Sequence, residues 1–153
     1  MGNPGNTDMK YRQPSLTVDA VVFDAAGRLL LIRRRQAPFK GRYALPGGFV
    51  EYGETLEDAA RRELHEETGV KPLTQRLIGV YSSPKRDPRG HTVSAAYLMR
   101  VGRVTPKAGD DASSAAFVAD WRKKPLAFDH AKIVADALRL KPQPAPRRST
   151  PST

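Results

Sequence analysis

Glu63, Glu66 and Glu67 sit in the run LEDAARRELHEETGV at the spacing that lets a helix bring carboxylates within one turn of each other. Placing residues at ~100° intervals puts Glu63 and Glu67 on the same side as Leu56, Ala59, Ala60 and Leu64, with Glu57, Asp58, Arg61 and His65 opposite. Ionised carboxylates on a half-buried face are costly unless they are paired or bound to a cation. An all-oxygen set suits a hard divalent ion, above all Mg²⁺, which shares its shell between carboxylates, waters and substrate phosphates; Mn²⁺ would substitute. No EF-hand spacing is present, so the pattern is not that of a calcium loop. The competing reading is a solvated acidic face, because seven of the sixteen Asp and Glu residues fall between Glu51 and Glu67. The inward phase of Glu63 and Glu67 tips the balance towards metal.

The elements that must position these groups are legible around them. Thr55 followed three residues later by Asp58 has the form of a capping box, and Gly69 is a natural left-handed stop, so the spacing predicts a helix over Leu56 to Thr68. Upstream, Pro46-Gly47-Gly48 lets the backbone approach a ligand closely. Phe39, Tyr43 and Phe49 lie in this lead-in and could stack on a base, although core packing is the ordinary use of each.

At every defining position the stretch resembles the Nudix box: Gly48, five residues, Glu54, seven residues, then Arg62-Glu63-Leu64-His65-Glu66-Glu67-Thr68-Gly69-Val70. The resemblance implies an α/β fold, an α/β/α sandwich with a mixed β-sheet, whose loop-helix-loop hydrolyses a nucleoside diphosphate linked to another moiety. By position, Glu63 and Glu67 resemble the principal metal ligands, Glu66 one that binds directly or through water, and the Gly47 carbonyl a backbone ligand. Arg62 resembles the residue that holds the glutamates, and Glu54 a supporting box residue. QAPFKGRYALPGGFVEYGE, together with the loop SSPKRDPRGHT, is similar to the ADP-ribose pyrophosphatase branch, with Pro84 only approximating that branch's downstream proline. Such a branch implies cleavage of ADP-ribose to AMP and ribose 5-phosphate.

The remainder of the chain is read as one domain over residues 16–140, with a flexible segment over 1–15 and a disordered Pro/Arg-rich tail over 141–153. With no cysteine, disulfides and thiolate zinc sites are excluded; with no long apolar run, a membrane span is not expected, and a soluble cytoplasmic protein is. Leu16 to Asp24 and Arg28 to Arg34 read as a hairpin turned at Ala25-Ala26-Gly27, and Gln75 to Ser83 and Thr92 to Val101 as two more strands. Strand alternation puts Arg33 and Arg35 on one face and Arg34 on the other. Arg33, Arg35, Arg86 and Arg89 are the candidates for substrate phosphate, since guanidinium forks match phosphate oxygens. His91 reads as a solvated loop residue. Asp129 reads as the cap of a second helix from His130 to Leu140, with His130 structural.

Metal-assisted hydrolysis also needs a base for the attacking water. Related pyrophosphatases often take a glutamate from a loop here occupied by Ala108 to Trp121, where Ser113-Ser114 stand in place of an acid. Asp111, Asp110 and Glu66 stay open as that base. A formal net charge of +10 implies a basic body around an acid pocket and a small nucleotide partner; nucleic acid is not favoured without a recognition motif. Other substrates of the family, a non-catalytic nucleotide-sugar sensor and RNA-end processing remain as alternatives, and a homodimer is open because family members often form one.

Overall fold

A computed structural model of the chain describes residues 11–110 and 112–140. Its elements are β1 (Ser15–Val22), β2 (Leu29–Arg34), β3 (Tyr43–Ala44), β4 (Gly47–Phe49), α1 (Leu56–Thr68), β5 (Pro72–Tyr81), β6 (Thr92–Val101), β7 (Ala112–Val118) and α2 (His130–Leu138). Four strands form a mixed sheet in the order β4-β1-β6-β5, with β1 parallel to β6 and the other pairs antiparallel. A second, antiparallel sheet has the order β3-β2-β7.

Alternation along β1 divides the core. Val18, Ala20 and Val22 face Ala59, Ala60 and Leu64 of α1, whereas Val21 packs with Ile133, Val134 and Ala137 of α2. Helices on opposite faces of the strands make the expected α/β/α sandwich. The first helix has the expected limits: the Thr55 hydroxyl accepts the Asp58 N–H at 3.1 Å, and Gly69 closes it at φ 72°. The Asp58 side chain turns to Arg61.

Three expectations change. The run from Asp24 to Arg28 does turn, with the Asp24 carboxylate accepting from the Ala26 and Arg28 N–H groups. Yet β1 and β2 enter different sheets, joined there by one bridge between Phe23 and Leu29, so the turn is a crossing between sheets and not a hairpin. The segment expected as a loop from Ala108 is largely strand: β7 pairs with the whole of β2. Its entry is clamped on the end of α1, where Lys107 N–H donates to the Thr68 carbonyl and Gly109 N–H to the Glu67 carbonyl. Finally, Asp129 makes no side-chain cap on α2, because its carboxylate is engaged by Arg86. The start of the domain also shifts slightly, Ser15 already lying in β1, while the tail over 141–153 lies outside the described residues.

Candidate active site

A cleft of about 520 Å³ opens between β4, the cleft-facing side of α1, the end of β2 and the loop before β6. Glu63, Glu66 and Glu67 form its acidic wall, one turn of helix apart. The Arg62 guanidinium ties that wall together. Its Nε and Nη2 donate to Glu54 Oε2 and Oε1 at 2.7 and 2.9 Å, Nη1 donates to Glu63 at 2.8 Å and Glu66 at 3.2 Å, and Nη2 also reaches the Phe49 carbonyl at 3.0 Å. These bonds hold the Glu54 carboxyl down to about 2. Burial pushes the Glu63 carboxyl up despite Arg62, and the charges of Glu66 and Glu54 push it the same way.

The glycine strand is fitted to this wall. A Cβ on Gly48 would stand 2.5 Å from the Glu63 carboxyl carbon, and Gly47 N–H donates to Glu67 Oε2 at 3.3 Å. Among the described residues no three His, Asp or Glu side chains converge as a ligand cage; the Arg62 guanidinium lies between Glu63 and Glu66 instead. In chemistry the donor set still fits a hard divalent cation: three carboxylates beside a glycine backbone, one of them ionised at a cost that a cation would offset.

The floor holds a buried polar chain. Leu45 N–H donates to His130 Nδ1 at 3.0 Å, so the ring proton sits on Nε2, 3.3 Å from Asp19 Oδ1. Ser94 Oγ donates to Asp19 Oδ2 at 2.5 Å. Arg86, almost wholly buried, grips Asp129 with two bonds of 2.9 and 2.6 Å and lies 3.9 Å from Asp19. Burial alone would raise the Asp19 carboxyl, but His130, Ser94 and Arg86 outweigh it and hold the group below its ordinary value.

The opposing wall is cationic. Arg34, Arg35 and Arg89 line it beside the Phe128 ring, with the Arg34 guanidinium 4.9 Å from that ring's centroid and Arg89 5.7 Å. Burial and then the neighbouring Arg89 charge draw the Arg34 guanidinium below its ordinary value. An anion between them would relieve that repulsion.

The predicted site residues therefore divide. Gly47, Glu63, Glu66, Glu67, Arg62, Arg35, Arg86 and Arg89 all line the cleft, with Glu54 held behind Arg62. Arg33 does not line it: alternation along β2 turns Ile32 and Arg34 to the cleft and Arg33 away, over Tyr43 at 4.6 Å from its ring centroid, while Arg35, just past the end of the strand at Arg34, leaves the alternation and joins Arg34 in the cleft. Asp110 is exposed and outside the cleft lining, Asp111 is not among the described residues, and His91 bonds the Ser82 carbonyl at 3.0 Å. Asp19, Asp87 and Phe128 were not anticipated. Asp19 had a signal, a lone acid inside the apolar run LTVDAVV; Phe128, in a left-handed conformation at φ 52°, had none.

Such an α/β/α sandwich, with an acidic loop-helix-loop facing a row of arginines across one cleft, has the parts of a hydrolase of phosphate anhydrides. The NUDIX domain family model matches residues 13–137, and the chain belongs to that family as a pyrophosphohydrolase. It is 51% identical over 132 residues to an ADP-ribose pyrophosphatase of Methanocaldococcus jannaschii, covering 86% of this chain and 77% of the relative. It is 34% identical to an ADPR responsive transcriptional repressor of Acinetobacter baylyi, where the match covers 83% of this chain but only 54% of the repressor. The NUDIX domain of Shewanella oneidensis NrtR, solved with ADP ribose, superposes with a TM-score of 0.79 at 31% identity, over 88% of this chain and 92% of that domain. Hydrolases of this family generally use divalent metal ions.

Proposed function

We propose that the protein hydrolyses the diphosphate of ADP-ribose with Mg²⁺, giving AMP and ribose 5-phosphate. The observation that carries this reading is the facing of the Glu63, Glu66 and Glu67 wall by Arg34, Arg35 and Arg89 across one cleft, in a chain about half identical to an ADP-ribose pyrophosphatase. A diphosphate needs both walls: cations for its outer oxygens and a cation held by the acids for the oxygens between.

Glu63, Glu67 and the Gly47 carbonyl would hold the ion, with Glu66 binding directly or through water. When bound, the ion supplies Lewis-acid polarisation of the phosphoryl oxygens and lowers the pKa of a coordinated water. Arg62, anchored on Glu54, keeps the glutamate side chains from splaying under mutual repulsion. Arg35, Arg89 and Arg34 bind and orient the phosphates, and the buried Arg86–Asp129 pair fixes the floor beneath them. Of the three candidate bases, Glu66 is the one that lines the cleft among the described residues, and its half-exposed carboxylate accepts the proton of the attacking water.

A substrate panel of ADP-ribose, NADH, diadenosine polyphosphates and nucleoside triphosphates, with and without Mg²⁺, tests the reading. A Mg²⁺-dependent preference for ADP-ribose is expected. A profile weighted to triphosphates would overturn the substrate, and tight ADP-ribose binding without turnover would overturn the catalytic assignment.

A further inference from the structure

Beyond Phe49 the cleft does not close. A second depression of about 530 Å³ continues from it, sharing Phe49, Arg89 and Thr92 with the first and extending to Arg12 and His91. The two differ in charge. Acidic side chains line the first along its helix wall and floor, whereas among the described residues no carboxylate lines the second, whose charged and titratable side chains there are Arg12, Arg89 and His91.

Phe49, half-exposed, is the aromatic ring common to both depressions. Arg89 lies over its ring at 5.9 Å and is fixed from behind by Asp87, with bonds of 3.1 and 2.8 Å from Nε and Nη2. A half-exposed ring braced by a guanidinium is a stacking surface for a base. A neutral ribose beyond that base would gain nothing from a groove lined by Arg12 and Arg89; a phosphate would.

We propose that this groove binds an additional phosphate carried on the nucleoside ribose, so that the ligand class includes nucleotides with a ribose phosphomonoester besides the 5′-phosphate. The base stacks on Phe49, and Arg12 with Arg89 meets the extra phosphate. This assignment deepens the diphosphate-hydrolase reading by naming the nucleoside end of its ligand, yet it can be measured without turnover.

The experiment is calorimetric titration of the full chain with AMP, adenosine 2′,5′-bisphosphate and adenosine 3′,5′-bisphosphate. One bisphosphate should bind roughly tenfold more tightly than AMP, the gain from one charge-assisted contact, and which one does so identifies the hydroxyl that carries the phosphate. Arg12→Ala should reduce that ratio to about one, while Arg103→Ala, a cation outside both depressions, should leave it unchanged. Equal affinities for all three ligands, or a ratio that survives Arg12→Ala or falls equally with Arg103→Ala, would overturn the proposal. Tight bisphosphate binding by a chain that fails to hydrolyse ADP-ribose would leave the groove standing and remove the substrate reading instead.

Discussion

Arg62 grips Glu54 through two near-parallel hydrogen bonds, 2.7 Å from Nε and 2.9 Å from Nη2, while its remaining Nη1 faces Glu63 and Glu66. One guanidinium thus organises three carboxylates, using the fork that lysine lacks. Arg62→Lys should keep the charge but lose this geometry: turnover at saturating Mg²⁺ should fall by roughly 10- to 100-fold, the usual cost of losing a residue that orients metal ligands. Near wild-type kcat in the lysine variant would show that charge alone suffices.

Two of the three glutamates on that arginine, Glu54 and Glu63, should respond to pH with opposite signs. Glu54 is held at about 2, below its ordinary 4.5, so it contributes stability that is present above about 4.5 and lost as pH falls towards 2. Glu63 is raised, so its contribution is present below 4.5 and lost as pH rises through its folded value. In metal-free protein, Glu63→Gln should therefore have the higher Tm at neutral pH, with the advantage shrinking on acidification, whereas Glu54→Gln should have the lower Tm. Thermal melts of both variants across this range decide it; a Glu63→Gln variant less stable than wild type at neutral pH would contradict the assignment.

His130 accepts the buried Leu45 N–H through Nδ1 and so fixes the backbone entering Pro46 and Gly47. Leaving that N–H unpaired costs about 1–3 kcal/mol. Asparagine places an acceptor near the Nδ1 position and glutamine near Nε2. His130→Asn should therefore retain more stability and a lower Mg²⁺ requirement than His130→Gln; equal loss in both would mean that the Leu45 contact is incidental.

Adjacent glycines should fail differently. A Cβ at Gly47 would stand 2.2 Å from the Val18 carbonyl oxygen, a backbone atom in β1, whereas at Gly48 it would meet the end of the Glu63 side chain at 2.5 to 2.6 Å. Gly47→Ala should lower stability by about 1–3 kcal/mol through overpacking. Gly48→Ala should fold with much less loss, because a flexible carboxylate can move aside, but should raise the Mg²⁺ concentration for half-activation. Denaturant melts and metal titrations separate the two; the reverse ranking would show that the glycine strand is not fitted as described.

Local signals carried far here. The cap at Thr55, the stop at Gly69 and the phase of Ala59, Ala60 and Leu64 were all readable, since each depends on residues within one or two turns. What the sequence could not place were long-range relations. The turn at Asp24 to Arg28 looks the same whether the strands pair or separate into two sheets. That Arg34 and not Arg33 joins Arg35 in the cleft depends on where β2 stops, at Arg34, a limit fixed only when it pairs with β7, seventy-eight to eighty-nine positions away by register. Asp129 has the composition of a cap, yet a buried Arg86 forty-three residues earlier in the chain claims its carboxylate. The floor that joins Asp19, Ser94 and His130 likewise exists only once β1, β6 and α2 are assembled.

The central claim is that the α1 carboxylates work through a bound divalent ion on ADP-ribose. The most direct measurement is the rate of AMP formation from ADP-ribose by wild type, Glu63→Gln and Glu67→Gln across a Mg²⁺ titration. Wild type should show no turnover without Mg²⁺, and each variant should lose at least about 100-fold at saturating metal. AMP formation that persists undiminished in either variant at saturating Mg²⁺ would contradict the account.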